Sequence, residues 1–301
     1  PVAGIDCGTN TIKLLVLDED GADLEREMRI VRLGQGVDRT GRLAEEALER
    51  TFAAVEEYAA LIARHGIDRA DRVRFCATSA TRDAANAADF AAGVRARLGV
   101  APEVVSGDEE AALAWAGAKR GLPGLAGPVV VLDIGGGSTE LVLGSGATPD
   151  AAHSMDIGSV RMTERHLRSD PPTAPEVAAC VADVDAALDT CPVDPGAAVT
   201  MVGVAGTVTT LAAGVIGLTA YDRSATHGAR LPVAQVHALC DRLVGSTAAE
   251  RAQMAWLHPG RADVIAAGAL VLSRVLARSR VSELVVSEAD ILDGIAWSLR
   301  E

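Results

Sequence analysis

The chain repeats itself. Ile5-Asp6-Cys7-Gly8-Thr9-Asn10-Thr11, followed by the apolar run Leu14–Leu17, returns as Leu132-Asp133-Ile134-Gly135-Gly136-Gly137-Ser138, followed by Leu141–Leu143. Asp6 aligns with Asp133, Gly8 with Gly135 and Thr11 with Ser138, each pair 127 positions apart. A second pair agrees. Phe75-Cys76-Ala77-Thr78-Ser79-Ala80 resembles Val204-Ala205-Gly206-Thr207-Val208, with Ala77 and Ala205 separated by 128. Offsets of 127 and 128 in two places, equal to within one residue, mean an internal duplication, so the fold is two copies of one supersecondary unit.

Each copy reads as strand, tight turn, strand, third strand, then alternating helices and strands. In the first, Val2–Cys7 and Lys13–Asp18 flank a Gly-Thr-Asn turn, and Leu24–Leu33 gives the third strand. Leu48, Phe52, Val55, Ala59 and Ile62 recur at helical spacing, with Gly66 as the stop. Val73–Ala77 is a strand, Asn86–Leu98 a helix capped by Asn86, Glu103–Val105 a strand and Asp108–Lys119 a helix. The second copy repeats the plan from Val129–Ile134, with Val199–Val204, Glu283–Ser287 and a final helix Ile291–Arg300. The fold class is therefore α/β, two duplicated lobes with mixed five-stranded sheets and helices, and a cleft between them. The breaker-rich Gly121–Pro128 divides lobe 1–125 from lobe 126–301, with the final helix free to pack back on the first lobe.

A net charge of −13 argues against nucleic acid as a partner, so any site for a polyanion must be local. Hydrophobic residues make up 49% of the 301 and aromatics only 3%, so Ala, Val and Leu fill the core. Five cysteines without a Cys-x-x-Cys read as free thiols in a reducing, cytoplasmic setting. The apolar stretch Asp263–Leu276 is too short to span a bilayer, which excludes the membrane as a partner.

The chemistry sits in the repeated turns. Three glycines, Gly135, Gly136 and Gly137, bring backbone amides close to an anion, and Ser138 and Thr139 add hydroxyl donors. Asp133 ends a strand at the turn and Glu140 starts the next, where carboxylates suit Mg²⁺. The first copy carries the same parts in Asp6, Gly8, Thr9, Asn10 and Thr11. Two such hairpins facing one another clamp phosphates from both sides. Arg82 leaves a strand end at the cleft mouth, where a guanidinium fork suits phosphate oxygens. Ser106-Gly107-Asp108-Glu109-Glu110-Ala111 opens a helix with acids in its first turn, and the residues alone do not choose between Glu109 and Glu110.

These segments, with Gly158–Arg161, Gly203–Thr207, His258–Asp263 and Val286–Glu288, resemble the exopolyphosphatase / guanosine pentaphosphate phosphohydrolase family along nearly the whole chain. That family lies in the actin / sugar-kinase / heat-shock-ATPase superfamily, so the resemblance implies actin-like, ribonuclease-H-like lobes. It implies Glu110 as the catalytic base, phosphate loops at Gly8–Thr11 and Gly135–Thr139, and Mg²⁺ (or Mn²⁺) near Asp133 and Glu140, with Asp6 a further candidate. It implies substrate contact by Arg82, Arg261 near the cleft, and a homodimer. The family often shows Arg-Glu-Gly where this chain has Leu292-Asp293-Gly294, and its long members carry a C-terminal helical domain with a His-Asp motif that this sequence lacks.

The expected activity is metal-dependent hydrolysis of the terminal phosphate of inorganic polyphosphate. Guanosine pentaphosphate is the rival substrate. A kinase, or a non-catalytic polyphosphate or alarmone sensor, is the alternative of a different class. The basic residues expected at the cleft are few, Arg82, Arg161, Arg165, Arg223 and Arg261, which favours short chains.

Overall fold

The structure, a computed structural model, describes residues 1–300. β1 (Val2–Cys7) pairs antiparallel with β2 (Thr11–Leu17), and β2 with β3 (Asp23–Ile30). β4 (Val73–Ala77) adds parallel to β1, and the two-residue β5 (Glu103–Val104) adds to β4. The sheet order is β3-β2-β1-β4-β5. β1 is buried at all six positions, as a central strand covered on both faces must be.

The second copy builds the same sheet from β6 (Val129–Ile134), β7 (Thr139–Gly144), β8 (Ala151–Met155), β9 (Thr200–Val204), β10 (Arg230–Pro232) and β11 (Glu283–Val286), ordered β10-β11-β9-β6-β7-β8. Without β10, order and strand directions match those of the first sheet. β1 and β6 end at residues 7 and 134, β4 and β9 at 77 and 204, an offset of 127 both times. The expected five strands are six here. β10 pairs antiparallel with β11 at the edge, and of its three residues only Leu231 is buried, too little to leave an alternating pattern in the sequence.

Two helices cross between the sheets. The helix Gly107–Gly121 packs Ala111, Trp115 and Ala118 against Val131, Val142, Val202 and Val204 of the second sheet. The helix Ile291–Ser298 packs Leu292 and Ala296 against Val2, Leu15 and Leu17 of the first. They meet at Gly117 and Gly294, where an added methyl would strike the carbonyls of Asp290 and Leu113. Only glycine lets the two backbones touch there. This crossing brings Glu110, in the first turn of one helix, and Asp290, the N-cap of the other, towards the hairpin turns.

Asn86 precedes the helix Ala87–Leu98 as expected but does not cap it. Its side-chain amide instead accepts from Leu43 N (2.8 Å) and donates to Leu43 O (3.0 Å), holding the loop before the helix Glu45–Arg64. No helix among the described residues is long and apolar enough to cross a membrane.

Candidate active site

The two hairpin turns close with the same bond. Gly8 N donates to Thr11 O at 2.9 Å, and Gly135 N to Ser138 O at 3.0 Å. They abut directly. A methyl on Gly137 would collide with the Thr9 and Ser79 hydroxyls, and one on Gly136 would meet Thr9 and Asn10. The carbonyls of the second turn face away from the cleft, into the helix Ser159–His166. Gly135 O accepts from Ser159 N, Gly136 O from Val160 N and Arg161 N, and Gly137 O from Arg161 Nε. With the carbonyls taken up behind, the amides of Gly136, Gly137 and Ser138 donate to no protein acceptor among the described residues, which suits them to an anion.

A cavity of about 60 Å³ lies between the turns. Asp6, Gly8, Thr9, Asn10, Thr11, Glu110, Asp133, Gly135, Gly136, Gly137, Ser138 and Arg261 all line it, so most sequence-predicted site residues converge. Arg261 presents its guanidinium beside Gly206, with no carboxylate partner among the described residues.

Three expected residues do not line the cavity. Thr139 begins β7 with its hydroxyl turned to Ile157 O, because the strand's alternation points it away from the turn, so it offers no hydroxyl to a phosphate. Glu140 lies just behind Asp133, accepting from Ser154 Oγ at 2.7 Å. Arg82 donates to Glu110 Oε2 and to Val105 O, both at 2.8 Å. Glu109 points outward to Arg74, which separates it from Glu110.

Sequence reasoning missed Lys13. Its ammonium lies 2.7 Å from Asp290 and 3.3 Å from Asp6. Burial opposes that charge, but Asp290, Asp6 and Asp133 outweigh it and raise the Lys13 pKa. The signal was present in the sequence, as one of only two lysines, inside an apolar strand. Thr78, Ser79 and Ser159 also line the cavity.

On the other side Asp133 and Glu140 have no ion-pair partner among the described residues, and Glu110 has Arg82 alone. Burial, ahead of repulsion from Asp290, Glu110 and Asp6 and against attraction from Lys13, pushes Asp133 up to about 8. Burial also pushes Glu110 up to about 7 against the pull of Arg82, and raises Glu140 well above the carboxylate range, with Glu110 and Asp133 adding to it. Burial and mutual repulsion favour the protonated forms of Asp133 and Glu140, and a cation joining them would reverse that preference. Among the described residues no three acids, histidines or cysteines are arranged to hold a metal by themselves. Mg²⁺ does not require that. It is usually held by one or two carboxylates together with substrate phosphates and water, and Asp133 beside the turn amides fits that mode.

Next to this cavity is a larger one of about 520 Å³, sharing Lys13, Ala205, Gly206 and Arg261 with it and walled by Met28, Tyr221, Trp256 and Leu257. Ala205, at the junction, adopts φ 62°, a left-handed conformation unusual for a residue with a side chain.

The model of the Ppx/GppA phosphatase family matches residues 16–300. Exopolyphosphatase 2 of Mycobacterium tuberculosis (strain ATCC 25618 / H37Rv) is 49% identical over 318 aligned positions, covering 99% of this chain and 98% of that protein. Among solved structures, an exopolyphosphatase-like protein superposes with a TM-score of 0.94 at 46% identity, covering 98% of this chain and 97% of the other. The Aquifex aeolicus member of the Ppx/GppA family gives 0.82 at 32% identity, over 99% and 96%.

Proposed function

This chain belongs to the Ppx/GppA phosphatase family, and we propose that it is an exopolyphosphatase, releasing the terminal phosphate of inorganic polyphosphate by hydrolysis. The observation that carries this reading is the buried Glu110 opposite two anion-binding turns in a cavity with room for a phosphoryl group. Glu110 accepts the proton of an attacking water. Arg82 holds its carboxylate in place. The turn amides, the hydroxyls of Thr9, Thr11 and Ser138, and Arg261 hold the oxygens of the transferring group. Asp133, with Glu140 behind it, would hold Mg²⁺, which when bound neutralises charge on the phosphates. Asp6, also a candidate ligand, already faces Lys13.

The 520 Å³ cavity supports a second reading, in which the substrate is guanosine pentaphosphate and the nucleoside lies between Tyr221 and Trp256. Phosphate release measured side by side from polyphosphate, guanosine pentaphosphate and ATP decides between them. Release from polyphosphate is expected to dominate, and release only from a nucleotide would overturn the first reading. The five thiols are free, four of them buried, which is consistent with a cytoplasmic setting. The homodimer implied by the resemblance is checked by sedimentation at assay concentrations.

A further inference from the structure

Most arginines around the cleft are neutralised within the protein. Arg32 holds Asp263, Arg82 holds Glu110, Arg161 holds Asp38 and Asp83, Arg165 holds Asp38 and Asp183, and Arg223 lies beside Asp23 and Glu288. Arg39, Arg42 and Arg50 differ. None has a carboxylate partner among the described residues, and all three line one groove of about 580 Å³. It lies between the loop 35–44 and the first turns of the helix Glu45–Arg64.

The groove is a built feature. Arg50 donates through Nε to Val31 O at 2.9 Å and through Nη2 to Gln35 Oε1 at 3.4 Å, which fixes its guanidinium. Gly36 and Gly41 bracket the short helix Val37–Thr40 in left-handed conformations, φ 76° and 64°. Ala85 N holds Gly41 O at 2.8 Å, and the Asn86 amide holds Leu43 on both sides. Glu46 is the one carboxylate in the lining.

We propose that this groove is a second docking site for a chain of phosphates, holding the part of a polyphosphate that the catalytic cavity leaves outside. The proposal rests on the exopolyphosphatase reading. Three uncompensated guanidiniums in a protein of net charge −13 select an anion. The lining contains no aromatic residue on which a base would stack, which favours an inorganic phosphate chain over single-stranded nucleic acid. The groove is close to the chemistry along the backbone. Gly36 lines it, and two residues earlier Gly34 donates to Thr9 O at 2.8 Å while packing on the Thr9 side chain. A chain held at both places gains affinity from the second contact at high effective concentration. That gain stops once the groove is filled, because the chain as a whole carries a net charge of −13 and repels further phosphates. kcat/KM is then expected to climb from tripolyphosphate to chains of tens of units and to stay flat or fall for chains of hundreds.

The test combines Arg39→Gln, Arg42→Gln and Arg50→Gln. The expected result is unchanged kcat/KM for tripolyphosphate and a loss of roughly 10-fold for chains of tens of units, the scale of three exposed charge contacts. The lost part should be the salt-sensitive part. In parallel, binding of labelled polyphosphate is titrated in a Glu110→Gln background with and without the three substitutions. Equal binding in both overturns the groove. If the native protein releases no phosphate from polyphosphate yet the three substitutions still weaken binding, the groove stands and the exopolyphosphatase reading falls. Displacement of the labelled chain by single-stranded RNA at comparable concentration would overturn the assignment to an inorganic phosphate chain.

Discussion

The two hairpins share a pairing pattern and differ in charge at one facing pair. In β1 and β2, Asp6 lies in register with Lys13, and in β6 and β7, Asp133 lies in register with Glu140. Positions 13 and 140 are again 127 apart, so duplication set a lysine against an aspartate in one copy and a glutamate against an aspartate in the other. The first hairpin carries its own cation, which Asp290 reinforces at 2.7 Å. The second carries two acids with Glu110 nearby and no base of its own. One copy is thus electrostatically complete, and the other is complete only when something positive arrives. The turn is common to both copies, and under the proposed mechanism the facing strand residue decides which hairpin would recruit a metal.

That contrast can be broken most directly at Glu110, the acid shared with the second hairpin. Glu110→Gln should lower kcat by about 10²–10⁴-fold, while Glu109→Gln, whose side chain faces Arg74, should stay within roughly twofold. Equal losses would remove the distinction between them. The next effect concerns the metal. Asp133→Asn should raise the Mg²⁺ concentration for half-maximal activity about 10–100-fold, the scale seen when metal-site partners are lost. Asp6→Asn should leave that concentration nearly unchanged and instead cost about 1–3 kcal/mol of stability by stripping Lys13 of one partner. If both variants shift the metal requirement alike, the hairpins are equivalent and the asymmetry is wrong.

A third expectation is a pH dependence of the metal-free protein. Glu110 and Asp133 have folded-state values raised to about 7 and about 8. A carboxyl raised on folding stabilises fully below its unfolded value, about 4, and that contribution is lost as pH climbs through the folded value. Tm without metal should therefore fall between about pH 4 and pH 8. Excess Mg²⁺ should restore it at the upper end and not at the lower. Asp133→Asn should flatten the slope more than Asp6→Asn, and a metal-free Tm that rises over this window would contradict the crowded acids.

The smallest effect compares the turn glycines. A methyl at residue 137 runs into two hydroxyls, whereas one at residue 8 finds its nearest neighbour, Thr11 O, at 3.5 Å. Gly137→Ala should cost about 1–3 kcal/mol in thermal or urea unfolding, and Gly8→Ala within about 0.5 kcal/mol.

The repeat made much of this legible. An offset of 127 read from the turns recurs in strand ends and in the turn-closing hydrogen bonds. Glycine and hydroxyl residues are local signals, and they lie where the turn chemistry put them. What the sequence concealed depends on partners far along the chain. Lys13 meets Asp290 across 277 positions, and no local pattern announces that pair. Arg82 was visible as a cleft arginine, but its engagement by Glu110 depends on a helix laid against the other sheet. Thr139 was misread because strand phase, not residue type, decides which way a hydroxyl points. The unpaired status of Arg39, Arg42 and Arg50 is likewise a fact about which carboxylates stayed away.

The crossing of the two helices at Gly117 and Gly294 has a consequence for how the protein is made. A ribosome delivers Asp6 and Lys13 before the second turn, and Asp290 more than 150 residues after that turn. Until the segment around Gly294 emerges and settles against Leu113, the face of β1 and β2 that Leu292 and Ala296 cover is bare, and Lys13 has one acid instead of two. A nascent chain can form its first sheet and still lack a finished catalytic centre. Folding of the first half is therefore provisional during synthesis, and the centre is sealed only once the helix Ile291–Ser298 has emerged and packed.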